Sequence, residues 1–196
     1  MLSTCRHITE DGSKAPVGVH GSGKLSLAQV PALAGRHFPL CMQHLYHTLQ
    51  SERHLRHAGR MQLGLFLKTA GLSLEESMLF WKSAFAPRTT GEKFEKEYAY
   101  NVRHSYGREG RRKDYEAHAC LKVISANPGV GEAHGCPFKT LQADALDAAM
   151  SRAGVPASCV PSFPASSPRL RHFATATHAL SPTYKKVLMH RVSTLV

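Results

Sequence analysis

The chain has 196 residues, 42% of them hydrophobic, enough for one globular domain with a core of its own. No stretch approaches the roughly 18 uninterrupted apolar residues of a membrane span, and residues 1–14 lack the apolar centre of a secretory signal, so an intracellular protein with no membrane partner is expected. Twenty-five Lys and Arg against 14 Asp and Glu leave a net charge of +11, a field that favours nucleic acid or nucleotide phosphates as partners.

Residues 1–22 show no strong periodicity and are expected to be poorly ordered. From Leu25 onward the pattern is helical. Pro39 is placed to start a helix whose apolar face carries Cys41, Leu45 and Leu49. The next helical run includes RMQLGLFLKTA and is stopped by Gly71. Ser73 and Glu76 have capping-box spacing ahead of LEESMLFWKSAF. EKFEKEYAYNVRH then places Phe94, Tyr98 and Val102 on one helical face. GREGRRK, residues 107–113, is a glycine-punctuated basic loop.

A short helix is expected around 117–126, stopped by the NPG turn at 127–129. A last helix is expected over 140–153, with Leu141, Ala145, Leu146 and Met150 on one face and Gly154 as its stop. Beyond Asp147 the chain has no acidic residue, and VPSFPASSP cannot form a regular element. The expected fold class is mainly α, with little β and an irregular tail. The expected organisation is a folded domain over 23–158 and a basic, divergent tail over 159–196.

The five cysteines, Cys5, Cys41, Cys120, Cys136 and Cys159, are odd in number and irregularly spaced, which argues against a secreted disulfide framework. Three stand in distinctive strings: FPLCM (38–42), HACLKV (118–123) and HGCPF (134–138). Thiolates are the soft ligands that iron–sulfur clusters require, and a Cys-Pro step is common at such ligands. Each string alone is a weak signal, since a lone Cys-Pro is more often structural, a buried thiol.

Between the cysteines, Arg60, Gly64 and Lys68 share a helical face, with His57 one turn before Arg60. Two cations flanking a glycine would let a phosphate approach closely. Arg56 would add a bidentate fork, while Lys68 would act as a point charge. A solvated basic helix face is the alternative. Tyr98, Tyr100, Asn101, Arg103 and His104 mix rings, an amide and cations suited to sugar, phosphate and base contacts, or to packing tyrosine into the core. Acidic residues are few and scattered, with no paired-carboxylate site for two-metal phosphoryl transfer.

LRHAGRMQLGLFLK (55–68), FWKSAF (80–85) and YAYNVRHSYGREGRRKDY (98–115), in that order between the cysteines, resemble the C-terminal iron–sulfur domain of the eukaryotic and archaeal DNA primase large subunit. GKLSLAQVPAL (23–33) is similar to the family's approach to its first cluster cysteine. The resemblance implies a 4Fe–4S cluster held by Cys41, Cys120, Cys136 and a fourth cysteine farther downstream; Cys159 does not stand at that place and is a candidate only as a substitute ligand.

It implies that His54, Arg56, His57, Arg60, Lys68, Asn101 and His104, with Tyr100 and Arg103 beside them, bind the 5′-triphosphate end of an RNA primer and the adjoining DNA template. It further implies a nuclear, non-catalytic accessory role, with the primase small subunit and DNA polymerase α as partners. Tyr98 and Tyr100 match family tyrosines linked to electron transfer, and Leu63 stands where the family has a third.

The family's downstream cysteine helix and larger N-terminal domain have no counterpart here. That departure raises an alternative exon, a retained intron or a gene-model error. The alternatives in function are a fragment without a cluster, or a zinc-dependent nucleic-acid-binding protein using His118 or His134.

Overall fold

The computed structural model describes residues 25–154, so Cys5, Cys159 and the expected tail lie outside the described residues. Nine α-helices occur among the described residues, and the only β feature there is an isolated antiparallel bridge between Tyr106 and Asp114. None of these helices is long and apolar enough to cross a membrane.

A 3-10 turn at Leu27–Gln29 leads into α1 (Val30–His37). The turn is capped through the Ser26 amide, which donates to Gln29 Oε1 at 3.0 Å. Pro39 is the N-cap of α2 (Leu40–Glu52), which buries Cys41, Met42, Leu45 and Leu49 as its period predicts. The helix ends at Arg53 in the left-handed region (φ 54°), which turns the chain sharply into α3 (His57–Thr69). Gly71, at φ 110°, follows α3 as expected of a C′ glycine.

Only half of the expected capping box forms at α4 (Leu74–Phe85). Ser73 accepts from the Glu76 amide at 3.2 Å, but the Glu76 carboxylate accepts from the Leu27 amide at 3.0 Å. That long-range bond moors the N-terminal turn to α4. The following helical run is α5 (Gly91–Phe94), a π-turn at Glu95–Ala99 and α6 (Tyr100–Ser105). The π-turn inserts an extra residue and changes which side chains face inward, a placement that periodicity does not reveal.

Two expected helices are corrected. The one around 117–126 is shortened to α7 (Cys120–Ser125), because its N-cap Ala119 is already extended at ψ 152°. The one over 140–153 is broken into α8 (Pro137–Thr140) and α9 (Ala143–Arg152), with Leu141 extended at ψ 144° between them. Leu146, Ala149 and Met150 are buried on α9, whereas Ala145 is exposed.

The core gathers α1 to α4 around edge-on aromatic contacts, including Phe38 against Phe66 at 4.8 Å and Phe80 against Trp81 at 5.1 Å. Leu63 is fully buried there. Helices α3, α4 and α6 pack pairwise, and the seam between them holds the candidate site.

Candidate functional site

Helix α3 begins without a side-chain cap and without an acidic residue in its first turn. Its first amides are therefore unsatisfied donors at the positive end of the helix dipole. His54, Arg56, His57 and Arg60 are gathered around that end. Arg60 is half-buried and fixed on two sides, donating from Nη1 to the Leu55 carbonyl at 2.8 Å and lying 4.9 Å above the ring of Tyr98. His54 packs against Phe85 at 5.8 Å and Tyr98 at 6.4 Å. Burial, then the charges of Arg60, Arg88 and Arg56, hold its imidazole below the ordinary histidine value, with only Glu52 opposing. Like charges crowded together in this way favour the approach of an anion.

A narrow cleft with an interior of about 30 Å³ opens beside this helix end. His57, Arg60 and Met61 line it from α3, Trp81 and Phe85 from α4, and Tyr98 and Asn101 from the π-turn and α6. The walls are mostly apolar, so the few polar groups that project into the cleft are poorly screened by water.

Gly64 lines the cleft but does not offer an open phosphate surface, since a Cβ there would stand 3.5 Å from the Trp81 indole; the glycine makes room for tryptophan. Most of the other expected contacts lie outside the cleft. Lys68 is not in the cleft lining, and all three of its ammonium protons are engaged. They go to the Ser105 carbonyl at 2.9 Å, the Tyr115 carbonyl and the Asp114 carboxylate, tying down the segment that follows α6. Arg103 is paired with Glu109 at 2.8 Å and with Glu95 at 3.8 Å. Tyr100 and His104 stack on each other at 5.9 Å, on another face of α6 from Asn101.

Arg56 lies against the 127–135 loop, within about 3.5 Å of where a Cβ on Gly131 would be. Sequence reasoning passed over Arg88, Trp81 and Gln62. Arg88 donates from Nη1 to the Glu52 carbonyl at 2.8 Å, bracing the α2–α3 corner. Nothing in its local sequence signals that reach.

The thiols form a second centre. Cys41 lies in the first turn of α2, Cys120 is the first residue of α7, and Cys136 is the N-cap of α8, with Pro137 at the first helical position. None of the three is in a disulfide. Burial pushes the Cys41 thiol up to about 12, with Cys136 and then Cys120 adding to the rise. Burial and Cys136 likewise push Cys120 up to about 11.

Burial also raises Cys136, against backbone hydrogen bonds from Phe138 and Lys139 that favour its thiolate. The three sulfurs are thus within electrostatic reach of one another. Even so, no group of three His, Cys, Asp or Glu side chains among the described residues is drawn in closely enough to hold an ion. The donors themselves suit a thiolate-bound group: soft sulfurs at helix N-termini, with backbone amides aimed at Cys41 and Cys136.

The family profile of the C-terminal domain of the eukaryotic and archaeal DNA primase large subunit matches residues 31–187. The chain is 48% identical over 131 residues to a probable DNA primase large subunit of Arabidopsis thaliana, covering 67% of this chain and 29% of that protein. It is 48% identical over 139 residues to the DNA primase large subunit of Mus musculus, covering 70% and 28%, and 50% identical over 119 residues to that of Homo sapiens, covering 60% and 23%. The matched stretch spans less than a third of each of these relatives. With most of its length matched and the helical domain in place, the chain belongs to the family defined by the C-terminal domain of the eukaryotic and archaeal DNA primase large subunit.

Proposed function

We propose that this domain grips the 5′-triphosphate end of an RNA primer, together with the adjoining template, and so supports primer synthesis at the start of DNA replication. The observation that carries the reading is the uncapped N-terminus of α3, ringed by Arg56, His57 and Arg60 and opening on the cleft that Asn101 lines. Helix amides and guanidinium forks are complementary to phosphate oxygens, and an anion there would relieve the repulsion felt by His54. The aromatic floor under Arg60 holds its guanidinium at a set angle, so little side-chain freedom is lost on binding.

The role is one of binding. In this reading nucleotidyl transfer belongs to the primase small subunit, the completed primer passes to DNA polymerase α, and the site of action is the nucleus. Cys41, Cys120 and Cys136 would hold three corners of a 4Fe–4S cluster, with Cys159 the candidate for the fourth. Such a cluster, when bound, ties together helices distant in sequence and provides a one-electron redox centre.

The test is a comparison of two primer–template duplexes, one with a 5′-triphosphate and one with a 5′-hydroxyl. The triphosphate duplex binds more tightly, and Arg60→Ala removes most of the difference. A preference left intact in Arg60→Ala would move the phosphate site elsewhere.

A further inference from the structure

Helix α2 buries Cys41, Met42, Leu45 and Leu49 in the core. Its other face, from Leu40 through Gln43, Tyr46 and His47 to Gln50, lines a groove whose remaining walls come from α1 and α9. The interior is about 410 Å³, and the groove shares no lining residue with the narrow cleft beside α3. Positions 43, 46, 47 and 50 are three and four apart, so the groove follows α2 for two turns, about 10 Å at 1.5 Å per residue. Its length suits a segment of chain.

Pro31 and Ala34 of α1, Leu40 of α2 and Ala149 of α9 give it apolar walls. Tyr46 stands among them as a fixed ring, edge-on to Phe38 and stacked on Phe80, each at 6.4 Å, with its hydroxyl bonded to Gln50. The charge along the groove has one sign. Arg152, His44 and His47 line it, and no carboxylate does. Arg152 is exposed and pairs with no carboxylate among the described residues. Burial, then Arg152 and His47, press the His44 imidazole below the ordinary histidine value, with Glu52 opposing. A carboxylate entering the groove would relieve that repulsion.

We propose that this groove docks an acidic, amphipathic segment of a partner protein, its apolar side chains against Tyr46 and Leu40 and its carboxylates on Arg152 and the two histidines. Charge complementarity selects that occupant. A second copy of the chain brings a net charge of +11, and residues 155–196 of the chain itself contain no Asp or Glu, so neither offers the opposite sign. Nucleic acid is anionic, but its phosphates call for a row of cations, and a single arginine cannot follow them. Spaced carboxylates on an apolar helix match one guanidinium, two imidazoles and an apolar wall, the helix-in-groove mode of recognition.

Fluorescence anisotropy on the full chain tests this with three labelled probes: an amphipathic peptide of leucine and glutamate at helical spacing, its scrambled form, and a single-stranded oligodeoxynucleotide. The amphipathic peptide binds more tightly than the scrambled one. Arg152→Ala weakens it about tenfold, the scale of one charge-assisted hydrogen bond. Gly35 provides a second variant, because it lines the groove and a Cβ there meets nothing within 4 Å. Gly35→Phe fills the groove with a ring, removes the preference for the amphipathic peptide and leaves the melting temperature of the chain in place.

Equal binding of the scrambled peptide, or a preference that survives either Arg152→Ala or Gly35→Phe, overturns the proposal. An oligonucleotide bound with the same dependence on both residues would assign the groove to nucleic acid. Dimers in sedimentation that Gly35→Phe dissolves would assign it to a second copy. A peptide preference found only in Phe163→Ser would assign it to the chain's own later segment. Each of these overturns the proposal equally.

Discussion

The carboxamide of Gln62 holds both backbone groups of Gly135: its Oε1 accepts from the Gly135 amide at 2.8 Å, and its Nε2 donates to the Gly135 carbonyl at 3.4 Å. Gln62 is 2% exposed and sits on the helix that carries His57 and Arg60, while Gly135 immediately precedes Cys136. This one buried pair therefore joins the proposed phosphate site to the thiol centre.

Gln62→Leu leaves the Gly135 amide and carbonyl buried without their partner. It is expected to cost about 1–3 kcal/mol, the scale of an unmade buried hydrogen bond, in chemical denaturation. The same variant, expressed with iron, should release metal to a chelator faster than the unaltered chain. Unchanged stability and release would show that the loop is held by other contacts.

The thiols can be separated by iron content. Anaerobic expression with iron supplied should yield broad visible absorbance and about four irons per chain. Cys41→Ser, Cys120→Ser and Cys136→Ser should each lose the metal, and Cys159→Ser should lose it too if that residue is the fourth ligand. Full iron in Cys159→Ser excludes it, and zinc in place of iron would favour a zinc site.

Lys68→Met removes the brace beneath the basic loop. The Ser105 and Tyr115 carbonyls lose a charged donor, for an expected loss of roughly 2 kcal/mol. The sharper readout is limited trypsin digestion, in which cleavage after Arg111 and Arg112 should accelerate while the helical core stays intact. Digestion at the original rate would mean that the Tyr106–Asp114 bridge and the Arg103–Glu109 pair hold the loop without Lys68.

His54 supplies a pH dependence. Its folded value is held below the ordinary 6.5 by burial and then by Arg60, Arg88 and Arg56, so the folded state favours the neutral ring. The unfolded chain binds a proton more readily. Stability from this group is therefore present above about pH 6.5 and is lost as pH falls through the folded value. An NMR titration should place the His54 midpoint below 6.5, and Arg88→Ala should raise it. A midpoint that does not move would show that Arg88 has no part in the shift.

The amino-acid sequence by itself determined the helical class, most helix starts and stops, the three cysteine strings and the family. Those features are local: apolar period, proline before a helix and glycine after it, and collinear motifs. It also placed Arg60 and His57 on one helical face, and they do meet in one cleft.

Spacing along a helix says which side chains share a face, but not what lies opposite that face. Only the packing of α4 on α3 decided that Gly64 accommodates Trp81, and only the return of the chain after α6 occupied Lys68. The π-turn set Asn101 toward the cleft and left Tyr100 outside it. The convergence of three thiols and the Gln62–Gly135 pair likewise arise from contacts between segments far apart in the chain, where local propensity carries no information.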